Sequence, residues 1–259
     1  MRPFLPIRAA ALALALIAPW TACRSLAPRP AVPDALAICT PPDTLALAGV
    51  NLDQLRASPL YRMLPPGAAA FLQPLRDASY LLLAYNGKDV LAVTRGSFRE
   101  PPPGAVLLAK DLAVSGSPEA IRAATAQRKT GQPGARWLLD RAPAGGQIWA
   151  VAQGGVAFPL TGDAANLNRF LSFADYASIA VRLDTGVRID ALGAGRTPES
   201  AQRLEESLRA FLTLAAAGAS RDIPLANLLH AIQLQRDALA VHITLAATPD
   251  QIARLLAGR

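Results

Sequence analysis

Histidine, cysteine and lysine are scarce in this chain of 259 residues, which has two histidines, two cysteines and three lysines. Aromatic residues make up only 5% of it. The sequence contains no C-x-x-C pair, no H-E-x-x-H, no G-x-S-x-G and no Walker loop, which are the short motifs of common metal sites, serine hydrolases and nucleotide-binding proteins. We therefore predict no cofactor and no metal site.

The residues that most often do chemistry are also dispersed along the chain. His230 and His242 flank the last predicted hairpin, whose turn we place at Arg236 and Asp237. Because neighbouring strand residues point to opposite faces, we expect the two rings to diverge rather than to form a pair. No cluster of acids, histidines or thiols supplies a base and a nucleophile. The sequence names no catalytic residue and favours a non-enzymatic protein.

The positive charge of the chain is spread thinly. The formal net charge is +7, and the basic residues occur singly rather than in runs of five or more. Nucleic-acid-binding proteins concentrate such residues in a patch or stripe. We expect no nucleic-acid partner.

The amino terminus has the layout of an export signal. Arg2 and Arg8 carry the only charges before a fourteen-residue uncharged stretch from Ala9 to Ala22. As a helix this stretch rises about 21 Å, which is short of the ~30 Å hydrocarbon core of a bilayer. A basic region followed by a short apolar region is typical of a signal peptide, which we place at residues 1–22.

Thr21, Ala22 and Cys23 end this leader, with Trp20 before them. The segment resembles the bacterial lipoprotein signal, although that family usually has leucine in place of Trp20. The resemblance implies lipidation of Cys23. Arg24 gives no inner-membrane retention signal, so the resemblance further implies an outer-membrane anchor with the body facing the periplasm. A cut after Ala27, as in ordinary secretion, and an uncleaved anchor are the alternatives.

Residues 23–39 follow as a proline-rich stretch that we predict to be an extended tether between the anchor and the folded body. It ends at Cys39, the second cysteine of the chain. If Cys23 is acylated, Cys39 is a lone thiol and we expect it to be buried. If Cys23 is retained without lipid, the two cysteines could form a disulfide in the oxidising envelope.

A hairpin followed by a capped helix recurs three times in the sequence. The helices are predicted to start after Ser117, Thr197 and Thr248, each followed by proline and an acidic residue. A hydroxyl at the N-cap accepts from an unpaired amide, proline loses no hydrogen bond at the first helical position, and the acid meets the positive end of the helix dipole. Helices on antiparallel hairpins predict an α+β fold.

The repeated order of elements divides the chain into two similar units. We place the first unit at residues 40–130, a glycine- and proline-rich linker at 131–146, and the second unit at 147–259. Each is predicted to be an antiparallel sheet covered by helices, and we interpret the pair as an internal duplication. The sequence leaves open whether the two units share one sheet.

The whole pattern resembles uncharacterised bacterial envelope proteins with a lipoprotein-like leader ahead of a duplicated α+β domain. That resemblance implies no particular activity. Our first hypothesis is an exported, lipid-anchored envelope protein that is not an enzyme and binds another protein or an envelope component. The alternatives are a periplasmic carrier of an apolar ligand, suggested by alanine- and leucine-rich faces, and an envelope hydrolase without a recognisable site.

Overall fold

The computed structural model describes residues 32–63, 72–159 and 166–257. The predicted signal peptide, Cys23 and the first part of the predicted tether lie outside these ranges. The elements in chain order are α1 (Asp34–Ala37), β1 (Ala46–Asn51), α2 (Leu52–Ala57), two 3-10 helices (Pro59–Met63 and Gln73–Leu75), β2 (Ala78–Tyr85), β3 (Val90–Gly96), β4 (Ala105–Ala109), β5 (Leu112–Ser115), α3 (Pro118–Lys129), α4 (Arg136–Leu139), β6 (Ile148–Gln153), α5 (Asn166–Phe173), β7 (Tyr176–Leu183), β8 (Val187–Ala194), α6 (Pro198–Gly218), α7 (Ile223–His230), β9 (Gln233–Arg236), β10 (Ala240–Ala247) and α8 (Pro249–Ala257).

A single ten-stranded sheet runs through both predicted units, in the order β4-β5-β3-β2-β1-β6-β7-β8-β10-β9. Its neighbouring strands are antiparallel. The two units meet where β1 pairs with β6, with Ala48 opposite Ala150. The predicted α+β class is confirmed.

The strand order of the two halves corresponds outward from this central pair. From the middle, the first half reads β1, β2, β3, β5, β4 and the second reads β6, β7, β8, β10, β9. In each half a helix follows the first strand, and a capped helix follows the last strand in the chain. A common origin of the two halves stays a prediction.

The three predicted helix caps all form. The amide of Ala120 donates to the Ser117 hydroxyl at 3.2 Å, and the amide of Gln251 donates to the Thr248 hydroxyl at 3.3 Å. At α6 the exchange is reciprocal: the Ser200 amide donates to Thr197 Oγ1, and the Thr197 amide donates to Ser200 Oγ. These bonds satisfy amides that the first turn of a helix leaves unpaired.

The main hydrophobic core lies on one face of the sheet, over the first half and the adjoining strand β6, and we call this face of the sheet the core face. Leu47, Leu82, Val93 and Trp149 project from it. Against them pack buried side chains of α1, α3 and the α4 region, which are Leu36, Ala120, Ala124, Ala135 and Leu138. In the second half the core face carries polar side chains instead, including Arg188, Asp190 and Thr244.

Residues 32–39 correct the prediction of an extended tether. They include α1 (Asp34–Ala37), and both Leu36 and Cys39 are fully buried in the main core. The prolines suggested an extended chain, but apolar side chains at helical spacing bury more surface than an extended path would. Any tether therefore ends before Val32, which is itself buried.

The segment 131–146, which we predicted to be a linker, is not a loose connection. It contains the short helix α4, and its Ala135 and Leu138 are buried in the main core. The amide of Gly134 also donates to the Thr40 carbonyl at 2.9 Å. The connection is thus part of the layer that covers the core face.

Candidate functional site

The opposite face of the sheet carries an apolar surface that continues across six strands. Directly opposed residues share a face of a sheet, so the register identifies two rows. One row consists of Leu83, Ala48, Ala150, Ile179, Ala191 and Ile243. The next row consists of Tyr85, Ala46, Ala152, Ala177, Gly193 and Val241.

Small side chains in the middle of these rows leave space above the sheet. Most central positions are alanine or glycine, and Ala48, Ala150 and Ala191 are only half-buried. Ile179, on a central strand, is 37% exposed. A central strand of a closed core would bury such a residue, so this part of the sheet is the floor of an open cleft.

Helices α5 and α6 form the walls of the cleft. Leu167, Phe170 and Leu171 of α5 and Leu204 and Leu208 of α6 line it. Their spacing of three or four residues puts each set on one face of its helix. The two helices are held together by an edge-to-face contact between Phe170 and Phe211, with ring centroids 5.5 Å apart.

One end of the cleft is closed by the chain that follows β6. Phe158 stacks on Tyr85 with ring centroids 5.4 Å apart. Asn168 of α5 holds this segment through two hydrogen bonds to the backbone of Phe158, both of 2.9 Å. The Tyr85 hydroxyl donates to the Gly87 carbonyl at 2.8 Å, so its polar atom is satisfied locally.

The resulting cleft has a volume of about 590 Å³ and an almost wholly apolar lining. That volume lies within the range of ~300–1,000 Å³ typical of small-molecule sites. Its floor crosses six strands, which at ~4.8 Å per spacing is about 24 Å. One acyl chain of a lipid spans about 15 Å, half of the ~30 Å bilayer core. The cleft is therefore long enough for such a chain.

A second, polar pocket of about 540 Å³ lies where β2 and β3 meet α2. It contains Arg95 and Ser97, at and just after the end of β3. Three arginines in it each face an aspartate at 3.4–3.5 Å, in the pairs Arg56–Asp53, Arg76–Asp77 and Arg95–Asp111. Because these charges balance, the pocket has no preference for an ion of either sign.

The histidines are not brought together. His230 ends helix α7, so its expected place on the last hairpin is wrong, because the apolar stretch before it folds as a helix capped by Asp222. His242 is an exposed residue of β10, on the face away from the cleft, and its Nε2 lies 3.0 Å from Asp237 Oδ2. Hydrogen bonds from His242 and from backbone amides lower the pKa of Asp237.

Within the described ranges, no group of three or more histidines, cysteines or acids is placed to hold a metal ion. None of the helices in these ranges is both long and apolar enough to cross a bilayer. The predicted lipidation site, Cys23, lies outside them. The alanines of the floor were not named from the sequence, because their alignment into rows depends on strand pairing.

Comparisons with known proteins support the fold and nothing further. No family model matches the chain, and no curated protein matches it. The similar solved structures include two that are described as crystal forms I and III of TP0453. Both are 8% identical to this chain and cover 88% of it; the chain covers 98% of form I, with a TM-score of 0.47, and 100% of form III, with a TM-score of 0.50.

Proposed function

We propose that this protein is an exported envelope protein, anchored by lipid at Cys23, that binds an apolar ligand such as an acyl chain in the cleft between the sheet and helices α5 and α6. The observation that carries the proposal is the apolar lining of the 590 Å³ cleft. A protein that exposes a large apolar surface in a concave site gains free energy by covering it with an apolar ligand.

Among the alternatives considered from the sequence, the cleft favours the carrier of an apolar ligand. A hydrolase needs a base and a nucleophile in its site, and no acid, histidine or thiol lines the cleft in the described part of the chain. A flat apolar patch would favour a protein partner instead. The cleft is concave and walled by two helices, which suits a ligand that lies along its floor.

Binding can be tested with Nile red, an uncharged apolar dye whose fluorescence rises in an apolar site. The dye is titrated into the mature chain, purified as the Cys23→Ser variant so that no anchored lipid competes. We expect saturable binding. Absence of any saturable fluorescence increase would contradict the proposal.

A matched pair of alanine substitutions localises the site. Ala150→Phe projects into the cleft from the floor, whereas Ala246→Phe adds the same ring to an exposed position on the other face of β10. If the ring of Ala150→Phe removes the dye's contacts with an area equal to about two methylene groups, the binding free energy falls by ~1.6 kcal/mol. That corresponds to a loss of more than tenfold in affinity. Ala246→Phe is expected to bind like the parent. Equal affinities for both variants would place the dye elsewhere.

The anchor is a separate claim with its own test. It is supported by Arg2 and Arg8, the apolar stretch that follows them, and the Thr21-Ala22-Cys23 ending. We expect the mature amino terminus, isolated from the membrane fraction of a native or closely related host, to have the mass of a diacylglyceryl cysteine at position 23. An unmodified terminus on a soluble protein would remove the anchor without affecting the cleft.

A further inference from the structure

A pocket of about 350 Å³ adjoins the apolar cleft and differs from it in charge. Ala174, after the end of α5, lines both the pocket and the cleft. The pocket also contains Gly154 and four polar side chains, those of Ser172, Arg196, Ser200 and Arg203. We call it the arginine pocket.

The strands lead directly from the cleft into the arginine pocket. The last row of the cleft floor contains Ala152, Ala177 and Gly193. Two residues further along the same strands lie Gly154, Asp175 and Gly195, and backbone hydrogen bonds of 2.6–2.7 Å continue the pairing at their level. Two residues of strand span about 7 Å and return to the same face. The arginine pocket therefore adjoins the end of the cleft floor, on the same face of the sheet.

Helix α6 makes the same connection from the wall side. Ser200, Leu204 and Leu208 are spaced four residues apart and so lie along one face of the helix. The first lines the arginine pocket and the other two line the cleft. A ligand lying along this face would pass from apolar to cationic surroundings within about one helical turn, ~5.4 Å.

The arginine pocket has more positive than negative side chains. Arg196 Nε lies 2.9 Å from Asp175 Oδ1, and this contact uses one of the five N–H donors of a guanidinium. Arg203 is exposed on α6 and adds a second guanidinium. Glu199, in the first turn of α6, is exposed and interacts electrostatically with Arg203. Neither Asp175 nor Glu199 lines the pocket, whose charged lining residues are Arg196 and Arg203. The lining therefore offers guanidinium N–H donors to an anionic group on the ligand.

We propose that the ligand is a single-chain amphiphile with an anionic head group, whose acyl chain lies in the cleft and whose carboxylate or phosphate binds Arg196 and Arg203. This inference rests on the proposed function, because it needs the cleft to hold the chain. Guanidinium groups form charge-assisted hydrogen bonds with both head groups. The ligand is thereby oriented with its head at the amino-terminal end of α6 and its tail towards Tyr85 and Phe158.

The test is displacement of bound Nile red by three ligands with the same sixteen-carbon chain length. Palmitate and hexadecyl phosphate carry anionic heads, and monopalmitoylglycerol carries a neutral one. Arg203→Gln is expected to weaken both anions about tenfold, the effect of losing one hydrogen bond to a charged group, and to leave the neutral ligand unchanged. Arg209→Gln removes an exposed arginine from the same helix without touching either pocket and should change nothing.

The outcomes separate this inference from the proposed function. Weaker displacement of Nile red in Arg203→Gln by the two anions alone supports the inference. If only hexadecyl phosphate or only palmitate is weakened, the result also identifies the head group. Unchanged displacement by both anions in Arg203→Gln overturns it, as does an equal loss for monopalmitoylglycerol. In those two cases Nile red binding by the parent still supports the cleft. Without Nile red binding, the proposed function itself fails.

Discussion

Gly49→Ala tests how tightly the centre of the sheet is packed. A Cβ at this position would lie 2.3 Å from the indole of Trp149, which is 2% exposed. The ring has little freedom to move, because its N–H donates to the Tyr80 hydroxyl at 2.7 Å in the core. Overpacking costs ~1–3 kcal/mol and a lost buried hydrogen bond costs another ~1–3 kcal/mol. Alanine regains ~0.5–1 kcal/mol over glycine in a strand, which leaves a net loss of roughly 1–5 kcal/mol.

The measurement is the free energy of unfolding in urea, followed by tryptophan fluorescence and by circular dichroism. Gly218→Ala is the matched control, because a Cβ on this last residue of α6 meets no atom within 4 Å. It should stabilise the protein by about 0.5 kcal/mol through the unfolded state. The same chemical change is thus expected to have opposite signs at two positions. A Gly49→Ala variant as stable as the parent would refute the placement of Trp149 over the strand.

Three further predictions concern side chains of the folded body. Tyr80→Phe leaves the indole N–H of Trp149 without its hydroxyl acceptor and should lower the free energy of unfolding by ~1–3 kcal/mol; an unchanged urea midpoint would contradict this. Burial raises the pKa of Asp190, but hydrogen bonds from Arg182 and Arg188 outweigh this effect and hold the pKa below its usual value. The ionised Asp190 therefore stabilises the folded state above pH ~4, and this contribution is lost as the pH falls further. Asp190→Asn should therefore flatten the fall in urea midpoint between about pH 4 and pH 2, and an identical acid profile would show that the pair is not formed. Burial raises the pKa of the Cys39 thiol despite the nearby Arg128, so it should react with a thiol reagent at pH 8 only as fast as the protein opens; rapid labelling of the native protein would show that it is accessible.

The parts of the fold that the sequence predicted are those fixed by local interactions. The caps at Ser117, Thr197 and Thr248 depend on residues within one helical turn, and all three formed as expected. Two of the hairpins predicted before these helices also form, β4–β5 before α3 and β7–β8 before α6. These features can be predicted without knowing which strands pair with each other.

The errors arose where distant packing decides the outcome. The stretch before Cys39 is rich in proline, yet Leu36 and Cys39 pack against strands far along the chain and draw it into the core. His230 was assigned to a strand because the final hairpin was expected to begin earlier, whereas the Asp222 cap and the apolar stretch after it make a helix. In both places tertiary contacts decided between two conformations that were locally acceptable.

The cleft depends on pairing in the same way. Alternating alanines are visible in the sequence at Ala46 and Ala48 and at Ala150 and Ala152. Alternation shows that they share a face of each strand, but a shift of one residue in register would turn one pair to the other side. The observed register aligns these alanines across β1 and β6 into the floor of the cleft. Because their side chains are small, the space above them stays open.

The position of the cleft follows from a difference between two otherwise corresponding halves. Helices α6 and α7 lie between β8 and β9, at the place where the first half has the short segment 97–104 between β3 and β4. Helix α6 supplies Leu204 and Leu208 to the cleft and Arg203 to the arginine pocket. Both candidate ligand contacts thus use helix α6, for which the first half has only the segment 97–104. Because α6 lines both sites and the segment 97–104 lines neither, we expect substitutions of the α6 lining side chains to alter ligand binding far more than substitutions in the segment 97–104.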